Sequence, residues 1–177
     1  MPSPIIAHHL KPKQREIRPG GDLFHTNMKG AELSNTNLSG AQLGDSNLSK
    51  ANLDGINLTQ SVLNRANLKE ANLKGADLRG AFLNKAYLKG ANLQNSKLMN
   101  ANLKNADLRG ASLKEANLKD IDLRGAFLNN TNLTDANLLD ANLKGASLIS
   151  SNLSGVILKN ADLRGSMLSG SKISFAD

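Results

Sequence analysis

Leucine recurs at every fifth position of this chain from Leu23 to Ile173, without insertion or deletion. Of the 31 positions in that series, 29 hold Leu, and Met28 and Ile173 hold the other two. The residue two before each Leu is small, Ala at 18 positions and Ser or Thr at nine more. Asn stands immediately before the Leu 14 times, and Gly, Asn or Asp stands two after it in 22 repeats. Each five-residue unit therefore reads small, polar, Leu, exposed, turn.

A period of five excludes the two simplest structures. On an α-helix, five residues advance roughly 500°, so successive leucines would fall about 140° apart and form no stripe. On a straight strand, side chains alternate between faces, and an odd repeat would throw every second Leu to the opposite side. The pattern is consistent only if the chain turns once per repeat. Leu and the small residue two before it then point to one shared axis, and the flanking slots point outward. Gly, Asn and Asp in the turn slot suit such corners, because they tolerate positive φ or bond their own backbone. Three small slots hold bulky residues, Ile56, Ile121 and Val156, and each needs locally more room.

The word Ala-(Asp/Asn)-Leu-x-x, as in Ala101-Asn102-Leu103-Lys104-Asn105, resembles that of the pentapeptide repeat proteins. The resemblance runs over residues 21–177. It implies an all-β fold, a right-handed quadrilateral β-helix with four repeats per coil and nearly eight coils. With about 4.8 Å between stacked strands, the rod would be roughly 37 Å long. Residues 1–20 lie outside the repeat and hold all four prolines, Pro2, Pro4, Pro12 and Pro19. They are expected to form either a cap, with Ile5, Ile6 or Leu10 over the first coil, or a basic extended arm for a partner. At the other end Ile173 and Phe175 would cover the last coil, or a second copy would meet it. Several relatives dimerise through a C-terminal helix, which this chain lacks, so a homodimer would form through a coil end.

Charge changes the picture at one place. The formal net charge is +7, and residues 1–21 hold +3 of it through Lys11, Lys13, Arg15 and Arg18 against Glu16. The repeats are close to balanced. With 20-residue coils, Lys104, Arg124, Lys144 and Arg164 fall in one column, a candidate basic ladder. Four repeats read Asp-Leu-Arg, at Asp77, Asp107, Asp122 and Asp162. Residues two apart on a strand share a side, so each Asp can pair with its own Arg. In outward slots, Val62, Phe82, Tyr87, Phe127 and Met167 form a candidate protein-contact patch on two adjoining faces. A large apolar cluster rimmed by charge is the usual mark of a protein interface.

The chemistry of enzymes is missing from this pattern. There is no Cys, no phosphate loop and no triad of nucleophile, base and acid. His8, His9 and His25 have no carboxylate or thiol neighbours of metal-site spacing. No cofactor is expected, no apolar run is long enough to span a membrane, and a cytoplasmic protein is the expectation. The reading is a non-enzymatic scaffold or regulator that presents flat faces to a protein. The resemblance points to cyanobacterial members, some of which regulate or assemble other proteins. Two alternatives remain open. One is a DNA-mimicking topoisomerase inhibitor of the quinolone-resistance type, which would need an acidic surface. The other is a nucleic-acid-binding rod using the basic tail and ladder.

Overall fold

The structure, a computed structural model, describes residues 16–174. Each polar-slot residue pairs in parallel with the residue 20 positions on, from Asp22 with Gln42 to Asn152 with Lys172, in unbroken register. Four repeats therefore close one coil, and the chain is a right-handed quadrilateral β-helix. Only one residue per face pairs before the chain turns, so each expected short strand reduces to a single bridge. Face 1 carries Asp22, Gln42, Val62, Phe82, Asn102, Asp122, Asn142 and Asp162. Face 2 carries the series from Asn27 through Asn47, Asn67, Tyr87, Asp107, Phe127 and Ser147 to Met167. Face 3 runs from Glu32 to Lys172, and face 4 from Asn37 to Ile157.

The backbone of one repeat shows why the word has its letters. The Ala101 N–H closes the corner on the Leu98 carbonyl at 3.0 Å. The Asn102 N–H donates to Ala81 of the coil before, and the Leu103 and Asn105 N–H groups donate to Asp122 and Arg124 of the coil after. That leaves the Lys104 N–H, and it donates to the Asn102 side-chain Oδ1 at 3.1 Å. An Asn or Asp in the polar slot thus caps the one amide that the coils do not pair. Ser39 on Asn37, Lys144 on Asn142 and Arg109 on Asp107 repeat the contact. Each such hydrogen bond contributes about 0.5–1.5 kcal/mol and recurs along the stack, which explains the prevalence of Asn.

All 30 turn-slot residues from His25 to Gly170 adopt positive φ. At eight of them the residue is not Gly, Asn or Asp, as at Lys50, Arg65 and Glu115. Their residue types alone did not mark these corners. The ladder sets the conformation instead, because the turn-slot amide must reach the next coil, and the strain of roughly 1–3 kcal/mol each is carried by the stack.

Inside, the Leu slots from Leu38 to Leu153 are essentially inaccessible, and so are Ile56, Ile121 and Val156. Buried hydroxyls in the small slot are satisfied locally. Ser46, Ser61 and Ser96 each donate to the Leu carbonyl three residues earlier at 2.7 Å. At the N-terminal end, half-buried Ile17 packs against the core. Ile5, Ile6 and Leu10, expected to cover that coil, lie outside the described residues. At the other end Leu158, Leu163 and Leu168 are only half-buried, and Ile173 is 53% exposed. The expected cover by Ile173 does not form, because a Leu-slot residue fills its own face and level, here above Leu153. Phe175 lies outside the described residues.

Candidate protein-contact face

The aromatic residues singled out in the sequence meet at one edge of the rod. Val62 and Phe82 are adjacent rungs of face 1, with Val62 half-buried and Phe82 43% exposed. Tyr87 lies on face 2, round the corner formed by Lys85, and Phe127 lies two rungs on, across Asp107. Tyr87 and Phe127, both close to half exposed, wall an open depression of about 420 Å³ lined also by Lys85, Asn105, Asp107 and Arg109. Met167 shares face 2 but stands two rungs beyond Phe127, past Ser147, and does not line it.

These residues sit where the fold has a use for Asn. With Phe82 in the polar slot, the Asn84 amide turns to the Asn64 Oδ1 of the neighbouring coil at 3.0 Å. No such rescue is seen beside Tyr87 or Phe127. Among the described residues, no side chain accepts from the Lys89 or Asn129 amide. The Asn129 Oδ1 is itself shielded and without a donor. A lost cap of this kind is worth about 0.5–1.5 kcal/mol. Among the described residues, the same amide is also uncapped after Val62, Lys97, Ser112, Ser147, Ile157 and Met167, so what sets Tyr87 and Phe127 apart is two large, half-exposed rings walling one depression in place of the usual Asn.

The family model for pentapeptide repeats matches residues 22–55, 46–84, 66–105 and 76–114. A second model, for a pentapeptide repeat region, matches residues 96–173. The chain belongs to the pentapeptide repeat family.

Solved members of the family similar to this chain include HetL of the cyanobacterium Nostoc sp. strain PCC 7120, described as involved in the regulation of heterocyst differentiation. It is 30% identical over 92% of this chain and 87% of its own, with a TM-score of 0.47. Rfr23 of the cyanobacterium Cyanothece 51142 is 40% identical over 51% of this chain and 62% of its own, with a TM-score of 0.50. QnrB1, a plasmid-mediated fluoroquinolone resistance protein, is 20% identical over 92% and 88% with a TM-score of 0.70, and shares the fold. The search of curated proteins finds no match.

On this pentapeptide rod the four Asp-Leu-Arg repeats form two-pronged clips. Arg109 Nε and Nη2 donate to Asp107 at 2.8 and 2.7 Å, and Arg79, Arg124 and Arg164 repeat the geometry. The guanidinium hydrogen bonds hold the carboxyls of Asp77, Asp107 and Asp122 below the usual carboxylate range, and Asp162 down to about 2. The ladder of Lys104, Arg124, Lys144 and Arg164 does stand in one column of face 1. Its two arginines are committed to Asp122 and Asp162. Of the tail, Lys11, Lys13 and Arg15 lie outside the described residues. Arg18 is exposed and donates to the Pro19 carbonyl at 3.3 Å.

The coil register also sorts the charge, which the linear sequence hides. On the repeats of faces 1 and 2, eleven cationic side chains stand against six carboxylates. On faces 3 and 4 there are seven of each. The cation excess therefore surrounds the aromatic edge. Lys69 Nζ lies 5.4 Å from the Tyr87 ring centroid, in the range of a cation–π contact. Arg65 is tied to Asp45 one coil away, its Nε donating at 2.7 Å, while Lys85 and Lys89 make no ion pair among the described residues.

Phe24, in an exposed slot, was missed in the sequence. Its ring stands edge-on to His25, with centroids 4.0 Å apart, and covers Gly44, where a Cβ would come within 2.8 Å of it. The signal was the pairing of a large residue with a Gly 20 positions on.

Proposed function

We propose that this protein is a non-enzymatic scaffold or regulator that holds a protein partner against the edge between faces 1 and 2. The supporting observation is the placement of Tyr87 and Phe127 in slots where the fold itself favours Asn, on the cation-rich side of the rod. A rigid rod with a ladder-fixed backbone suits this role, since its contact residues lose little freedom on binding. The contact patch comprises Val62, Phe82, Tyr87 and Phe127, with Met167 at its far end. On this reading residues 1–20 serve as a basic, proline-containing N-terminal tail or cap, and residues 21–177 as the repeat domain. A cytoplasmic location accompanies this reading. No helix of the described residues is long and apolar enough to cross a membrane.

The test is affinity capture from native extract. The full chain is compared with a Phe82→Ala/Tyr87→Ala variant and with a Lys74→Ala/Lys114→Ala variant on face 3. Partner capture lost in the first and kept in the second supports the reading. Capture that survives the first variant removes the patch.

The cation excess on faces 1 and 2 favours a second reading, nucleic-acid binding along the ladder. Arg109, Arg124 and Arg164, each held by its own Asp, weigh against it. Its mark is affinity that falls steeply with salt. A DNA-like rod would present carboxylates instead, and a supercoiling assay with a topoisomerase tests that reading directly.

A further inference from the structure

We infer that the depression between Tyr87 and Phe127 receives a branched aliphatic side chain from an acidic segment of a partner protein. The inference rests on the protein-contact reading above and specifies its chemistry.

Spacing gives the size of the guest. Tyr87, Asp107 and Phe127 are successive rungs of face 2, so the aromatic walls are anchored roughly 9.6 Å apart, twice the strand spacing of about 4.8 Å. Carbon atoms in contact lie about 3.5–4.0 Å apart. Contact with both walls takes about 7–8 Å of that gap, and roughly 2 Å remains for the thickness of the guest. A branched aliphatic chain fills that thickness and touches both rings.

Charge gives the flanks. The floor is the Asp107–Arg109 clip, closed on itself by two hydrogen bonds, so it offers no free carboxylate to repel an acidic guest. The rim carries Lys85 with no salt bridge among the described residues. Lys89 and Lys69 belong to the same face, Lys69 above the Tyr87 ring. The excess of eleven cations over six carboxylates is confined to faces 1 and 2. An apolar slot with a cationic rim is complementary to an aliphatic residue flanked by Asp or Glu.

The experiment is fluorescence anisotropy with the full chain and labelled 12-residue peptides. One peptide is Glu-rich with a central Leu. The second replaces that Leu by Ser, the third replaces every Glu by Lys, and a single-stranded oligothymidylate of equal length is the fourth probe. The expected result is saturable binding of the Glu/Leu peptide, binding at least tenfold weaker for the Ser peptide, and none for the Lys peptide. Tyr87→Asn/Phe127→Asn and, separately, Lys85→Glu each weaken it at least tenfold, with unchanged circular dichroism, whereas Lys114→Glu on face 3 changes it less than twofold. The inference is overturned if Leu and Ser peptides bind alike, if the oligonucleotide binds more tightly, if the slot variants bind as the parent does, or if no peptide binds. A partner captured by the parent and lost with Phe82→Ala/Tyr87→Ala, yet not displaced by the Glu/Leu peptide, defeats this inference alone. Capture that ignores the patch defeats the protein-contact reading itself.

Discussion

Replacing Phe127 with Asn separates a ring kept for binding from a ring kept for folding. Phe127 is 49% exposed, so about half of the 150–250 Å² that an aromatic buries, on the order of 100 Å², is covered by the fold. At about 25 cal/mol per Å² that cover is worth at most about 2.5 kcal/mol, and an Asn in the slot retains roughly half of it. Against this loss of about 1.2 kcal/mol stands a new cap. The Asn oxygen accepts from the Asn129 amide, as Asn102 does from Lys104 at 3.1 Å, a gain of about 0.5–1.5 kcal/mol. The two effects nearly cancel, so the variant is expected within about 1 kcal/mol of the parent, a shift in Tm of no more than about 4 °C. Partner capture is expected to fall at the same time. The assay is a pair of thermal melts by circular dichroism with capture on the same samples. A loss above about 2 kcal/mol would show that the ring is a structural support, and the argument from the broken repeat would fail.

Other expectations follow from the stack and its caps. Leu103→Asp, inside the rod, should break the coils locally, and Leu103→Ala should cost about 2.7–5 kcal/mol in a melt. Leu163→Ala, at a half-buried site of the last coil, should cost less than half as much, and equal costs would deny the end effect. Asn102→Ala removes the cap on Lys104 and should cost about 1 kcal/mol by denaturant titration. The Asp162 carboxyl is lowered to about 2 by the Arg164 hydrogen bonds. The clip's contribution is therefore fully present above the unfolded value near pH 4 and is lost as pH falls through about 2. The Tm difference between the parent and Asp162→Asn should be constant from pH 7 to about 4 and shrink below it. A difference that vanished already at pH 5 would contradict the clip.

The rod was legible because a strict period of five leaves the backbone few choices, and the inward Leu and Ala slots followed from it. The Asp-Leu-Arg clips were legible too, since they need only residues two apart. Corners such as Lys50 and Arg65 were harder to read. Their conformation is imposed by amides that must reach the next coil, a constraint stored in the stack and not in the residue. The capping role of the polar slot was hidden for the same reason, and with it the argument that Tyr87 and Phe127 depart from structural need. Coil columns gave the basic ladder, yet the confinement of the cation excess to two faces appeared only once every repeat was assigned to its face. Phe24 escaped because its partner is the absent side chain of Gly44, one coil away.

The central claim is that the edge between faces 1 and 2 meets the partner. Photo-crosslinking from a benzophenone side chain placed at Lys104, an exposed face-1 residue whose carbonyl accepts from the Lys85 amide, and in a second protein at Lys74 on face 3, tests it most directly. In native extract the Lys104 position is predicted to give one discrete high-mass adduct that is lost with Tyr87→Asn/Phe127→Asn, and the Lys74 position none. An adduct from Lys74 with none from Lys104 would contradict the account.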